Sequence, residues 1–188
     1  NVQNDLARIF RLFSGVGVFL FFLISLFSKE TVEIFTDKKF HDAQFLMPIF
    51  YFTVGISLLT MFSMGLQIEK KTKHIAVIAI VGAVINLCLN TVLVPKYGVY
   101  GAALATFLAV ALHSSITFYY SQRVFPYKTS LAIFYMFFLL NCVVVYFVCY
   151  KFNLSWSYKI CISFVYCIVL ASVYKEEVGK IKKKIWKS

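Results

Sequence analysis

Residues 85–106 read INLCLNTVLVPKYGVYGAALAT, an apolar run, a short turn and a second apolar run. Pro95 ends the first run because its ring lacks a backbone N–H and clashes with the preceding helical turn. Gly98 and Gly101 open the second run with the flexible backbone that a chain reversal requires. The turn is too short for any connection other than an antiparallel one. These residues therefore predict a hairpin of two helices.

The two apolar runs continue in both directions until the next charged residue. His74–Pro95 has 22 residues and Tyr97–Gln122 has 26. A helix rises about 1.5 Å per residue, so roughly 20 residues cross the ~30 Å hydrocarbon core of a bilayer. Both arms of the predicted hairpin are therefore long enough to span a membrane.

Four further apolar blocks extend the predicted membrane domain, and they are Leu12–Ser28, Ala43–Ile68, Thr129–Tyr150 and Phe152–Tyr174. The first and the last block reach full length if a basic side chain, Arg11 or Lys159, extends to the membrane surface. Uninterrupted apolar runs exclude membrane strands, which alternate apolar and polar residues. We predict an all-α, polytopic membrane protein with about six transmembrane helices.

The composition agrees with this fold class. Hydrophobic residues make up 61% of the chain, charged residues make up 14%, and the mean hydropathy is +0.80. A soluble domain is about 45–50% apolar and about 25% charged, so a soluble enzyme, a disordered tail and a secreted disulfide scaffold are excluded. The five cysteines lie in apolar runs without a CxxC pair. With no hydrolytic triad, carboxylate dyad or phosphate-binding loop in the sequence, we expect no enzyme activity, no cofactor and no metal site.

The basic residues predict the orientation in the membrane. Six spans place both ends of the chain on one side, together with thirteen Lys and Arg residues, and leave six on the other side. Cytoplasmic loops carry the excess of Lys and Arg, so both ends are predicted to be cytoplasmic. The net charge of +11 then reflects topology rather than a nucleic-acid-binding patch. Because the chain begins with Asn1 in polar sequence, we expect it to be a piece of a longer protein.

Polar side chains inside the predicted spans are candidates for a transport path, because they are costly in a bilayer. Asn86 and Asn90 share a helix face with Gly82, and they either line a wet path or hydrogen-bond a neighbouring helix. His113 either relays protons or packs as a hydrogen-bonded side chain. Arg11, one turn after a second arginine, either binds a phosphate at a cavity mouth or flanks the first span.

Small residues recur on one face of the second arm of the predicted hairpin. Gly101, Ala105 and Ala109 follow one another at intervals of four residues, and Thr106 is adjacent to them. Such a face allows two helix backbones to approach closely. We therefore expect it to pack against another helix.

Residues 85–106 resemble the IN…LN…L-I/V-P-x-x-G-x-x-G-A-A-x-A-T pattern of polysaccharide flippases of the Wzx type, which belong to the MATE-like multidrug/oligosaccharidyl-lipid/polysaccharide superfamily. The turn Glu69–Lys73 is similar to the basic G-K-x-K loop of that family, with Glu69 in the glycine place. The segment Phe35–Ala43 is similar to a second loop, with Thr36 in the glycine place. The resemblance assigns helix packing and hairpin geometry to the matching motif residues Asn86, Asn90, Pro95, Gly98, Gly101 and Thr106.

The resemblance implies that the chain is a C-terminal fragment of a two-lobed transporter of the bacterial inner membrane. Such a transporter moves an undecaprenyl-diphosphate-linked oligosaccharide across that membrane for O-antigen (lipopolysaccharide) or capsule biosynthesis, and its lobes rock around a central cavity. The implied partners are the lipid-linked oligosaccharide, membrane lipids and other membrane proteins of polysaccharide assembly. Residues 1–126 would form part of the C-terminal lobe with four helices, residues 127–174 two additional helices, and residues 175–188 a basic cytoplasmic tail.

Three other functions stay open at the level of the sequence. A MATE-type multidrug or cation exporter has the same fold, but such exporters usually keep acidic or aromatic groups in the cavity, and no acidic residue lies inside a predicted span. A membrane enzyme that polymerises glycans generally carries a large periplasmic loop, whereas the longest predicted loop here, Lys29–Asp42, has about 14 residues. A non-transporting partner of a glycan-assembly complex is the third alternative.

Overall fold

The structure is a computed structural model that describes residues 2–127, 129, 131–151 and 155–173. The predicted basic tail at 175–188 lies outside the described residues. Within the described ranges the chain is built from helices and contains no strand, so the all-α prediction is confirmed. The helices are α1 (Val2–Leu26), α2 (Ser28–Phe35), α3 (Met47–Met61), α4 (Met64–Ile68), α5 (Thr72–Val124), α6 (Leu131–Val145) and α7 (Trp156–Val173), with a 3₁₀ segment at Lys38–Phe45 and a π-helical segment at Tyr146–Lys151.

Several of these helices have the length and composition to cross a membrane. Gln3–Leu26 and α5 both qualify on their own, and the 3₁₀ segment qualifies together with α3, from which it is bent by 49°. Phe134–Val148 and Trp156–Ser172 are shorter apolar helices. The structure is therefore that of a helical membrane protein, as predicted.

Helix α5 reverses direction at Gly98. Gly98 has φ 56° and ψ −130°, a conformation outside the helical region. A Cβ atom built on Gly82 would lie 3.1 Å from Cδ2 of His113, whereas a straight helix would separate these residues by about 46 Å. Residues 72–97 (the first arm) and 99–124 (the second arm) are thus antiparallel, with about 26 residues in each. The predicted hairpin is confirmed.

Gly101, the first small residue of the second arm, lies where the two arms approach each other. A Cβ atom on Gly101 would collide with the carbonyl group of Leu93 in the first arm. Ala105 and Ala109 are both buried. Because any side chain at Gly101 would push the arms apart, this glycine allows the hairpin to close.

The chain divides into two compact units. The first consists of residues 28–127 and contains α2 to α5. In it, the Thr60 hydroxyl donates to Oγ of Ser114 at 2.9 Å, and the backbone N–H of Gly65 donates to Oγ of Ser121 at 2.9 Å. Thr60 pairs with Ser114, and the later residue Gly65 pairs with the later residue Ser121. Helices α3 and α4 therefore run parallel to the second arm and antiparallel to the first.

The second unit comprises the described residues of 1–27 and 128–188 and contains α1, α6 and α7. The end of α1 lies beside the start of α7, with the Phe27 and Trp156 ring centroids 6.3 Å apart. Further along, the rings of Phe22 and Tyr166 are 4.4 Å apart, so α1 and α7 are antiparallel. This division joins α1 to the last two helices, whereas the predicted segmentation placed it in 1–126 with the next three spans.

The segment Lys29–Asp42, predicted as a loop between spans, is mostly helical in the structure. Val32 is buried in α2, and the Thr36 hydroxyl donates to the Val32 carbonyl at 2.7 Å at the end of that helix. The predicted span Ala43–Ile68 is likewise interrupted. Pro48 occupies the first turn of α3, where a missing N–H does no harm, and the helix ends before Ser63, whose hydroxyl donates to the Leu59 carbonyl at 2.7 Å.

Candidate functional site

A groove of about 480 Å³ runs between the two arms of α5, and we name it the hairpin groove. The first arm contributes Lys73, His74, Val77, Ile78, Val81, Gly82 and Ile85, and the second arm contributes His113, Ile116 and Tyr120. Because the arms are antiparallel, Tyr120 lies at the same end as Lys73 and His74. The groove therefore has a basic and aromatic mouth, aliphatic walls, and an imidazole near the middle of the arms.

His113 lies between this groove and a second one. The second groove, of about 530 Å³, lies between α3 and the second arm, and we name it the α3 groove. Its lining includes Ser57, Thr60, His113 and Ser114. On the other side of His113, Gly82 leaves room for the imidazole, since any Cβ there would lie 3.1 Å from the ring. The structure thus places this transport-path candidate at the boundary of two grooves.

Asn86 and Asn90 bond to each other within the first arm. The Asn90 amide donates to Oδ1 of Asn86 at 2.7 Å and to the Asn86 carbonyl at 2.9 Å. The sequence had left two interpretations open, a wet path and a bond to a neighbouring helix. The four-residue spacing lets the pair satisfy part of its own hydrogen-bonding capacity on one helix face, and both interpretations stay open.

Arg11 lies in α1, and therefore in the other compact unit from the two grooves. It is half-buried, and its Nε donates to the Ala7 carbonyl at 3.4 Å, one turn earlier. The structure thus brings Asn86 and Asn90 together and places His113 in the same unit. Arg11 does not belong to the compact unit that contains Asn86, Asn90 and His113.

The motif residues of the hairpin occupy its turn and the start of its second arm. Pro95 lies in the last turn of the first arm, and Gly98 holds the positive φ at which the chain reverses. The Thr106 hydroxyl donates to the Ala102 carbonyl at 2.9 Å, so this polar group is satisfied on its own helix. Of these positions, Gly98 sets the backbone geometry of the turn.

The basic turn between α4 and α5 has a defined backbone. Lys70 has φ 53°, a left-handed conformation in which helices usually place glycine. The Lys71 N–H donates to the Leu66 carbonyl at 2.8 Å, and the Lys70 N–H donates to the Gln67 carbonyl at 3.0 Å, which together form a Schellman motif. Glu69 has φ −84° and ψ 9°, which any residue adopts. Glutamate at position 69, where the family pattern has glycine, therefore causes no backbone strain.

Lys159 is a cation whose burial the sequence did not indicate. We expected its side chain to extend to the membrane surface, but only 2% of the residue is exposed. Its Nζ lies 5.9 Å from the centroid of the Phe27 ring, within the range of a cation–π interaction. Asn141 on α6 is a second buried polar residue, 1% exposed, whose Oδ1 has no hydrogen-bond partner. Both residues interrupt apolar runs, which is the signal that could have indicated them.

Comparison with known proteins gives one match. Residues 1–92 match the family model described as MatE. No curated protein and no solved structure matches the chain. The match includes Asn86 and Asn90 and ends before Pro95, so it covers only the first part of the hairpin. Over residues 1–92 the chain is therefore similar to MatE, a family of helical membrane transporters and not of enzymes.

Proposed function

We propose that the chain is part of a flippase of the Wzx type, which moves an undecaprenyl-diphosphate-linked oligosaccharide across the bacterial inner membrane for surface polysaccharide biosynthesis. The MatE match supports a transporter of the MATE-like superfamily. The finer assignment rests on the pattern of residues 85–106 and on the charges of the helices.

The distribution of charge carries the proposal. The acidic residues that the structure describes lie at helix ends or in short connecting segments, and they are Asp5, Glu30, Glu33, Asp37, Asp42 and Glu69. Among the residues that the structure describes, the buried charged side chain is a cation, Lys159. A cavity for cationic drugs usually carries acidic or aromatic groups, whereas a diphosphate is bound by positive ones. This arrangement favours an anionic cargo.

The α3 groove offers groups that suit the sugar part of such a cargo. Its lining includes the imidazole of His113 and the hydroxyls of Ser57 and Thr60, which donate to the Val54 carbonyl and to the buried Ser114 and keep acceptor sites of their own. Hydroxyl and imidazole groups both donate and accept hydrogen bonds, as sugar hydroxyls do. We therefore assign His113 to the transport path, with Asn86, Asn90 and Arg11 as further candidates.

Deletion of the complete gene tests the proposed function. Surface polysaccharide is expected to disappear while lipid-linked repeat units continue to form on the cytoplasmic side, because synthesis precedes translocation. Surface polysaccharide at the normal level, in a strain without a second flippase, would falsify the proposal.

Complementation of the deletion strain tests His113. We expect His113→Leu to lower the export rate about fivefold, since one hydrogen bond contributes about 1 kcal/mol. His113→Gln keeps a hydrogen-bonding group and is expected to retain most of the activity, as is the neighbouring control Leu112→Ala. Loss of export in the Gln variant would instead assign a proton relay to the imidazole.

A cation exporter of the same fold is the second candidate, because the MatE match fits it equally well. It predicts that the deletion strain becomes more sensitive to cationic dyes and keeps its surface polysaccharide. Dye sensitivity and polysaccharide measured in the same strain separate the two functions.

A further inference from the structure

We propose that the hairpin groove binds an anionic phospholipid of the surrounding bilayer, with the phosphate group at Lys73 and His74 and one acyl chain between the two arms. The proposed phosphate position lies at the mouth of the hairpin groove, away from His113, which lines both grooves. The proposal does not depend on the identity of the transported cargo.

The shape of the groove suits one hydrocarbon chain. Its volume of about 480 Å³ lies within the ~300–1,000 Å³ range of small-molecule sites. Its walls carry Val77, Ile78, Val81 and Ile85, which are aliphatic side chains. From Lys73 to Ile85 the helix rises about 18 Å, close to the ~15 Å depth of one leaflet of the hydrocarbon core. A chain lying in the groove therefore extends from the membrane surface to the middle of the bilayer.

The mouth of the groove suits a phosphate group. Lys73 and His74 lie in the first turn of α5, where the partial positive charge of the helix terminus favours an anion. The first backbone bond at this terminus runs from the His74 N–H to the Lys71 carbonyl at 3.1 Å, and no side chain caps it. The N–H groups of Thr72 and Lys73 come before this first bond. They therefore have no acceptor within the helix and point out of its end.

Neighbouring charges strengthen the preference of the groove mouth for an anionic head group. Lys70 and Lys71 lie in the turn just before the mouth, against the single carboxylate of Glu69, and all three are exposed. Tyr120 at the same end belongs to the residue type that concentrates at membrane interfaces. The site therefore combines an apolar slot with a positive rim, which distinguishes an anionic lipid from a zwitterionic one.

Native mass spectrometry of the intact purified protein tests the site. Phosphatidylglycerol and phosphatidylcholine with identical acyl chains are added in turn, and the fraction of protein that retains lipid is measured. We expect phosphatidylglycerol to be retained at least about fivefold more, because each basic residue near a membrane surface contributes about a fivefold preference for anionic lipid. Equal retention of the two lipids would overturn the proposal.

Two pairs of variants place the lipid in the groove. The double variant Lys73→Gln/His74→Gln should lower phosphatidylglycerol retention about fivefold or more, whereas Lys96→Gln at the opposite end of the hairpin should leave it unchanged. Val81→Trp fills the groove and should lower retention of the acyl chain, whereas Val84→Trp, three residues away and 53% exposed, should not. Equal loss in the control variants would show binding elsewhere and overturn the proposal.

A third lipid separates the two possible sources of the phosphate group. A long-chain isoprenyl phosphate that displaces bound phosphatidylglycerol and is retained more strongly would assign the groove to cargo, and would overturn the proposal. If Val81→Trp fails to fold, as judged by size-exclusion chromatography and helical circular dichroism, the head-group variants decide, because Lys73 and His74 are exposed.

Discussion

Lys70 shows how a single residue fixes the geometry of the basic turn. It holds the C′ position of the Schellman motif after α4, where the left-handed backbone places Cβ close to the following carbonyl oxygen. A lysine there costs roughly 1–2 kcal/mol relative to an unstrained residue. The same position keeps a positive charge beside the mouth of the hairpin groove, so the turn combines local strain with a local charge.

Replacement of Lys70 by glycine should stabilise the protein. We expect Lys70→Gly to raise the free energy of unfolding by about 1 kcal/mol, because glycine adopts positive φ without strain. Thermal unfolding in detergent measures the change. Lys70→Gln removes the same charge and keeps the strain, so an equal gain in that variant would assign the effect to charge instead.

Tyr127 connects the end of the hairpin to α3. Its hydroxyl donates to the Phe62 carbonyl at 2.7 Å, and its ring lies 6.3 Å from that of Phe118. We expect Tyr127→Phe to lower the free energy of unfolding by about 1–3 kcal/mol, because the buried Phe62 carbonyl loses its donor. Tyr119→Phe, at an exposed position on the second arm, is the matched control and should change stability little.

The pH dependence of stability should identify the same hydroxyl. Burial raises the pKa of Tyr127 to about 12, against about 10 for an unfolded tyrosine. The unfolded chain therefore releases this proton first, so the contribution of Tyr127 is complete below about pH 10 and is lost as the pH rises toward 12. The difference in stability between the wild type and Tyr127→Phe should shrink over that interval, and a constant difference would contradict the assignment.

At the scale of the element, the α5 hairpin could be predicted because its signals are local. Pro95, Gly98 and the small face beginning at Gly101 lie within a few residues of one another, and each acts on the backbone directly. The helical character of Lys29–Asp42 could not be predicted in the same way. That segment is short and charged, so it lacks the apolar periodicity by which a helix is recognised. In the structure α2 packs against the 3₁₀ segment that follows it, and Val32 is buried.

Substitution of Gly98 tests the turn of the hairpin in isolation. Its φ of 56° with ψ −130° suits only glycine, and no atom lies within 4 Å of a Cβ built there. We expect Gly98→Ala to destabilise the protein by about 1–3 kcal/mol through backbone strain alone. Val99→Ala, at an exposed neighbouring position, should have a small effect in the same thermal unfolding assay. An unchanged Gly98→Ala variant would show that the turn has another conformation.

The candidate site was only partly accessible from sequence, for a related reason. Asn86, Asn90 and His113 stood out because polar residues are rare in apolar runs. Their partners could not be read from spacing, since a four-residue interval permits both a bond within the helix and one to a neighbour. The environment of Lys159 depends on Phe27, which lies in the other half of the chain.

At the scale of the whole molecule, each compact unit shows helices that alternate in direction. In residues 28–127, α3 runs antiparallel to the first arm and parallel to the second. In the other unit, α1 and α7 are antiparallel, and the start of α6 lies beside the start of α1, with the Phe10 and Phe134 rings 6.3 Å apart. Both patterns agree with six spans. The side of the membrane on which the chain begins stays a prediction from its basic residues.

Accessibility of single cysteines tests that orientation. In a variant whose native cysteines are replaced by serine, Lys38→Cys should react with a membrane-impermeant thiol reagent added to intact cells. Lys71→Cys should react only after the cells are permeabilised. Both lysines are exposed, so access and not burial decides the result. The opposite pattern of labelling would place the ends of the chain on the outer side.

The reversal at Gly98 also bears on how the chain enters the membrane during synthesis. Lys96 lies near the end of the first arm, so in the predicted orientation its charge has to cross the bilayer when the arms insert. At about 5–20 residues per second, a ribosome completes the second arm only a few seconds after the first. Since the turn is short and the arms pack closely beside it, they are expected to leave the insertion machinery as a pair. Folding of the hairpin then begins before the rest of the protein has been made.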